Sequence, residues 1–85
     1  MQYDNFVAII TGGGTGVGAA AAKMLAKGGA KVTINYSRSA DAADSTAREC
    51  EALGSQVLVC QADVSKDEDC RRLVAATIEK WGRVD

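Results

Sequence analysis

Five glycines stand at positions 12, 13, 14, 16 and 18, between the apolar run Phe6–Ile10 and the alanine-rich stretch AAAAKMLAK. Glycine turns the backbone through positive φ and brings it close to a ligand with no Cβ in the way. A helix starting directly after such a turn offers N–H groups without intrahelical acceptors and the positive end of its dipole. That combination suits an anionic group such as a pyrophosphate. Gly12, Gly14, Gly16 and Gly18 are therefore candidate ligand-binding positions. Further along, Tyr36, Ser37 and Arg38 follow a second apolar stretch and bear on which anion the glycines would hold.

The elements that would position these residues are legible in the patterning. Phe6–Thr11 is apolar on both faces, which predicts a central strand of a parallel sheet. Val17–Lys27 reads as a helix whose small residues, Ala19 to Ala22, would let it lie close to the sheet, with Gly28 and Gly29 ending it. Lys31–Tyr36 is rich in β-branched and aromatic residues and reads as a second strand. A second helix is expected over Ala40–Leu53, with Ala43, Ala47, Cys50 and Leu53 in helical period and Gly54 as its stop. Gln56–Ala62 predicts a third strand. A third helix follows, with a capping box of Ser65 and Glu68 and an inward face of Cys70, Leu73, Val74, Thr77, Ile78 and Trp81. Gly82 closes it.

The order βαβαβα predicts an α/β fold, a Rossmann-type doubly wound parallel sheet with right-handed crossovers. In a sheet ordered 3-2-1-4 the first strand is central, yet no fourth strand follows here. One edge of FVAII would be open, a hazard for aggregation. Residues 1–85 are thus expected to be the N-terminal part of a single dinucleotide-binding domain, the front of a larger one.

Composition narrows the class. Ten basic against eleven acidic residues, a net charge of −1, make no electrostatic case for nucleic acid. The apolar run before the glycines is far short of the roughly 20 residues of a membrane span, and no basic region precedes it as in a signal peptide. Cys50, Cys60 and Cys70 show no C-x-x-C spacing and the chain has no histidine, so no metal site is expected. The cysteines read as small, reduced, partly buried side chains, in keeping with a cytoplasmic setting.

Three ligands compete for the loop. A nucleoside triphosphate loop needs Lys and Ser/Thr after its last glycine, and Ala19 and Ala20 stand there instead. A dinucleotide fits G-x-G-x-x-A over Gly14, Gly16 and Ala19, inside a βαβ unit. A methyl-donor or other nucleotide-binding α/β domain can use a similar turn. In sites for the unphosphorylated dinucleotide, an acid about 20 residues beyond the loop bonds the ribose 2′-OH. That position falls near Tyr36, and Asn35, Tyr36, Ser37, Arg38 and Ser39 include no acid. A hydroxyl and a guanidinium there favour a 2′-phosphate. Arg38 is equally readable as a solvated turn residue.

The stretch TGGGTGVG, residues 11–18, resembles the T-G-x-x-x-G-x-G loop of the short-chain dehydrogenase/reductase family. The resemblance extends through NYSRS, ADV (residues 62–64) and WGRVD, and so covers essentially the whole chain. It implies that the backbone around Thr15, Gly16 and Val17 lies against the pyrophosphate. It also implies that Asp63 bonds the adenine amino group and the Val64 backbone meets the adenine ring. Ser37 and Arg38 match the positions that hold the 2′-phosphate in NADP-preferring members, which gives NADP as cofactor with NAD second. Read without the resemblance, Asp63 is an ordinary strand-end turn residue. Thr15 departs from the basic residue of many NADP-preferring members.

The family's catalytic Asn-Ala-Gly stretch, Ser and Tyr-x-x-x-Lys pair are absent: Val7 follows Tyr3 at that spacing and Ala40 follows Tyr36. No catalytic residue is assigned. The resemblance implies an oxidoreductase acting on a carbonyl or alcohol by hydride transfer, a homo-oligomer whose substrate contacts lie in downstream residues. The alternative is a non-catalytic nucleotide-binding module or truncated product.

Overall fold

A computed structural model describes residues 5–12, 16–38 and 40–85 of the chain. Strands β1 (Val7–Ile10), β2 (Lys31–Tyr36) and β3 (Val57–Gln61) alternate with helices α1 (Gly16–Lys27), α2 (Ala40–Ala52) and α3 (Asp67–Trp81). The sheet is parallel, in the order β1-β2-β3. Val7 pairs with Lys31 and Val32 with Val57, so the three strands run in step and end along one edge.

The expected order 3-2-1 is present, with β2 in the middle. The elements match the sequence reading with shifted ends. β1 is shorter than Phe6–Thr11 because Phe6 is exposed and Gly12, at φ 64°, turns the chain. The Phe6 carbonyl nevertheless accepts the Lys31 N–H at 2.8 Å. α1 begins one residue early, at Gly16, and α2 stops at Ala52, leaving Leu53 exposed in the turn. β3 lacks Gln56 and Ala62. The carbonyl of Gln56 still accepts Val32 N–H, and Ala62 N–H donates to Tyr36.

Side-chain alternation along β2 sorts the helices onto two faces. Val32, Ile34 and Tyr36 point to one face, where Ala22 and Ala26 of α1 and Ala43, Ala47 and Cys50 of α2 complete the core. Of the four alanines expected against the sheet, only Ala22 is fully buried. Thr33 and Asn35 point to the other face. There the Thr33 and Thr77 hydroxyls lie 2.9 Å apart with both residues buried, which places α3 on that side.

α1 and α2 end alike. Gly29 N–H donates to Ala26 and Ala30 N–H to Leu25; Gly54 N–H donates to Glu51 and Ser55 N–H to Cys50. These are paired 5→2 and 6→1 bonds around a left-handed residue, with φ of 99° at Gly29 and 94° at Gly54. A methyl group at Gly54 would meet nothing within 4 Å. The cost of Gly54→Ala is therefore the backbone conformation alone, about 1–2 kcal/mol. Chemical denaturation should show that loss, with a smaller one for Gly54→Asn, since asparagine tolerates this conformation better.

α3 departs most from its sequence reading. The expected N-cap, Ser65, lies outside the helix. Lys66 occupies the cap position with no side-chain cap bond. The Ser65 hydroxyl and N–H both go to Asp63 Oδ1, at 2.6 and 3.0 Å, so they are engaged before the helix starts. Its first turn carries Asp67, Glu68 and Asp69, which favour the positive end of the dipole. The inward face is also narrower than expected. Leu73 and Thr77 are buried and Cys70 and Trp81 half-buried, whereas Val74 and Ile78 are exposed beside Cys70 and Ala75. Three strands offer α3 enough sheet for the Leu73–Thr77 line only.

The three cysteines are free; Cys50 is buried, and burial raises its thiol pKa, with Glu49 adding to the effect. At the outer edge of β1, Asp85 N–H donates to the Val7 carbonyl at 2.7 Å, and Val7 N–H donates to Asp85 Oδ2 at 2.9 Å. Arg83 pairs with the other oxygen of Asp85. That pair, then the Val7 N–H, lowers the Asp85 pKa from the ordinary value of 3.8. A carboxyl more acidic in the folded chain than in the unfolded one stabilises the fold above the unfolded value, and the contribution is lost as pH falls through the folded value. Asp85→Asn should flatten the acid limb of a stability–pH profile below pH 3.8. An unchanged acid limb would show the contact to be too weak to matter.

Candidate functional site

In an open parallel sheet the carboxyl ends of the strands face one crevice. Here those ends lead into Thr11–Gly12 after β1, Ser37–Arg38 after β2 and Ala62–Val64 after β3. The sequence candidates therefore lie along one edge of the sheet. Gly14 and Thr15 lie outside the described residues, as does Gly13.

The chain turns at Gly12 and enters α1 at Gly16. No acidic residue occupies the first turn of α1, so nothing there opposes an anion at the helix start. Val17 is 85% exposed, and Gly18 is buried against the body of the fold. A methyl group at Gly16 would meet no described atom within 4 Å. The space beside that backbone is open to a ligand, as a pyrophosphate lying against it requires.

At the end of β2, Tyr36 is half-buried, while Ser37 and Arg38 are exposed. Gln61 Nε2 donates to the Ser37 carbonyl at 3.2 Å and ties this turn to β3. After β3, Asp63 folds back on Ser65. The Ser65 hydroxyl, then its N–H, lowers the Asp63 pKa, and the positive charges of Lys66 and Arg38 act in the same direction. Asp63 is accordingly a carboxylate at neutral pH, an acceptor for an amino group. Arg38 is near enough for its charge to be felt there, so one turn carries a cation and the other an anion. Val64 is 47% exposed, and its carbonyl accepts the Cys70 thiol at 3.1 Å.

Four residues at this edge escape the sequence reading. Asn35 is buried on the α3 side of β2, and its Nδ2 lies 3.0 Å from the Ala62 carbonyl. Asp69 Oδ2 accepts the Asp63 N–H at 2.8 Å. Arg72 donates to the Gln61 carbonyl at 2.8 Å, and Gln61 in turn holds Ser37. The signal that could have found Asn35 is an amide in a strand otherwise built for burial; Asp69, Arg72 and Gln61 carry none. Among the described residues no group of Cys, Asp and Glu is placed to hold a metal ion, and no helix is long and apolar enough to cross a membrane.

Comparison with known proteins gives the edge its context. The family model described as short chain dehydrogenase matches residues 6–85. YusS of Bacillus subtilis, a short-chain dehydrogenase/reductase homolog, is 46% identical over 85 residues, which is 100% of this chain and 78% of that protein. A short chain dehydrogenase of Burkholderia cenocepacia, solved in complex with NADP, superposes with a TM-score of 0.95 at 38% identity. The match covers 100% of this chain and 35% of that one. The apo glucose dehydrogenase of Caenorhabditis elegans gives a TM-score of 0.91 at 35% identity, covering 100% of this chain and 37% of that one. The chain thus spans about a third of those solved structures and corresponds to the front part of a larger Rossmann-type domain. A glycine turn into α1, two turns of opposite charge after β2 and β3, and a family match from Phe6 to Asp85 agree: this chain belongs to the short-chain dehydrogenase/reductase family, as its N-terminal portion.

Proposed function

We propose that residues 1–85 are the N-terminal part of one dinucleotide-binding domain and form the cofactor-binding segment of an NADP(H)-dependent oxidoreductase. The observation that carries the reading is the meeting, at one sheet edge, of an open helix start at Gly16, the Ser37–Arg38 turn and the Asp63 carboxylate. The residues suit the group. The backbone of Gly12, Gly14, Thr15, Gly16, Val17 and Gly18 receives the pyrophosphate. Tyr36, Ser37 and Arg38 frame the ribose, with Ser37 and Arg38 binding its 2′-phosphate. Asp63 accepts the adenine amino group and Val64 lies along the ring. The NADP complex of the B. cenocepacia relative supports this choice of ligand over other nucleotides.

When bound, the nicotinamide of such a cofactor supplies a hydride. The residues of this chain bind and orient the cofactor, and they supply no proton-transfer group of the Tyr-x-x-x-Lys kind. The carbonyl or alcohol substrate is then met by downstream parts of the protein, which acts as a cytoplasmic homo-oligomer. A second reading, a nucleotide-binding module without catalysis, is favoured by one observation: the chain covers 78% of YusS. Titrating the chain with NADP⁺ and NAD⁺ by calorimetry tests the proposal; tighter binding of NADP⁺ is expected, and binding of neither would overturn it. Hydride transfer to a panel of carbonyl compounds by a chain extended beyond Asp85 separates the oxidoreductase from the module.

A further inference from the structure

We infer that Asn35 and Asp69 are positioning residues for the adenine end of the site: between them they fix one peptide unit, Ala62–Asp63, and so aim the Asp63 carboxylate. The inference rests on the adenine role proposed for Asp63.

Both polar groups of that peptide are engaged. Its carbonyl, on Ala62, accepts Asn35 Nδ2 at 3.0 Å, and its N–H, on Asp63, donates to Asp69 Oδ2 at 2.8 Å. A peptide unit is planar, so holding both its C=O and its N–H sets the whole plane. The direction in which Asp63 leaves that plane is then set as well. The remaining freedom of the side chain is taken up by Ser65, whose N–H and hydroxyl both donate to Oδ1.

Asn35 is not where ordinary stability would put it, and Asp69 does not make the contact its place in the helix offers. Asn35 is 2% exposed in a strand otherwise made for a core. Burying an amide costs free energy unless it is bonded. Nδ2 reaches the Ala62 carbonyl and, more distantly, those of Cys60 at 3.3 Å and Tyr36 at 3.4 Å. All three carbonyls lie where β2 and β3 end. Asp69 occupies the third position of α3, where an acid can reach back to the helix's own cap residue. Its Oδ2 goes instead to Asp63, and its Oδ1 lies 3.7 Å from Arg72. One contact comes from the sheet and the other from a helix, so the turn is referenced to both.

A well-aimed carboxylate separates adenine from hypoxanthine, which presents a carbonyl oxygen where adenine presents an amino group. A site built to bond one polar group rejects an analogue lacking it. The test compares NADP⁺ with its hypoxanthine analogue on the full chain and on Asn35→Leu, Asp69→Ala and Asp69→Asn. The unsubstituted chain should prefer NADP⁺ by about tenfold or more, for one charge-assisted bond gained and one repulsion avoided. Asn35→Leu and Asp69→Ala should reduce that ratio to about twofold. Asp69→Asn, which keeps an acceptor, should retain most of it. A general loosening of the fold would lower both affinities and keep the ratio, and a kept ratio overturns the inference. The second readout uses no nucleotide. Amide exchange at Asp63 should accelerate about tenfold or more in Asn35→Leu and Asp69→Ala while the amides of β3 keep their rates. Unchanged exchange at Asp63 overturns the inference whatever binds; failure of the unsubstituted chain to bind NADP⁺ overturns the proposed function alone. Should Asn35→Leu not fold, the more exposed position 69 carries both readouts.

Discussion

Arg38→Ala should weaken NADP⁺ binding by about 10- to 100-fold and leave NAD⁺ binding within about twofold. A charge-assisted hydrogen bond contributes about 1.5–3 kcal/mol, and each 1.4 kcal/mol is a factor of ten in affinity. Arg38 is exposed, so water and salt screen it and the lower part of that range applies at physiological ionic strength. The gap between the two cofactors should therefore narrow as salt is raised. The charge balance of the site makes this residue decisive. Asp63 is held ionised at the neighbouring turn, and its charge would oppose a 2′-phosphate that Arg38 no longer balanced. Calorimetric titration of both cofactors against both proteins at two salt concentrations checks it. Equal losses for NADP⁺ and NAD⁺ would return Arg38 to the role of a solvated turn residue.

Gly16→Ala should leave the fold as stable as before, or slightly more so, and lower NADP⁺ affinity by about tenfold or more. The two effects separate because of what surrounds the position. Gly16 is the first residue of α1, and its φ is not in the left-handed region. No described atom lies within 4 Å of a methyl group there, so alanine meets no steric penalty from the described residues and gains helix propensity of up to about 1 kcal/mol. The same methyl would occupy the space a pyrophosphate needs, and forcing extra volume into a close contact costs about 1–3 kcal/mol. Thermal melting measures the first effect and titration the second. Unchanged NADP⁺ affinity would mean that the pyrophosphate does not approach the helix start. Gly54→Ala makes the useful contrast: it costs stability through backbone conformation, at a site remote from the sheet edge.

The parts of this molecule that depend on local chemistry were legible in its sequence. The apolar run before the glycines, the β-branched run at Lys31–Tyr36 and the glycine stops at 29, 54 and 82 each follow from local chemistry, and all lie where expected. The glycine turn and the absence of an acid after β2, on which the proposed dinucleotide site rests, could be read directly because charge and backbone freedom are properties of single residues. What could not be read was which partner a polar side chain takes. Ser65 has the type and spacing of a helix cap, yet its hydroxyl goes to Asp63, because Asp63 folds back over it before α3 starts. Asp69 looks like one of three acids favouring a dipole, yet it reaches out of its helix to an N–H six residues back. Val74 and Ile78 keep the helical period, but a period gives only the direction of a stripe. How much of it is covered depends on how wide the opposing sheet is.

The hydroxyl pair of Thr33 and Thr77 has a consequence beyond filling the interface. Thr77 donates its one hydroxyl proton to the Leu73 carbonyl at 3.0 Å, so Thr33 is the donor across the interface. An apolar helix face can roll on a sheet at small cost, because dispersion has no direction; a hydrogen bond has one. Asp69, Leu73 and Thr77 are spaced by four and share a ridge of α3. Pinning Thr77 to the middle strand therefore fixes the rotational phase of the helix, and with it the bearing of Asp69 two turns away. A contact buried in the sheet interface thus sets, at a distance, the angle at which a carboxylate meets the Asp63 amide.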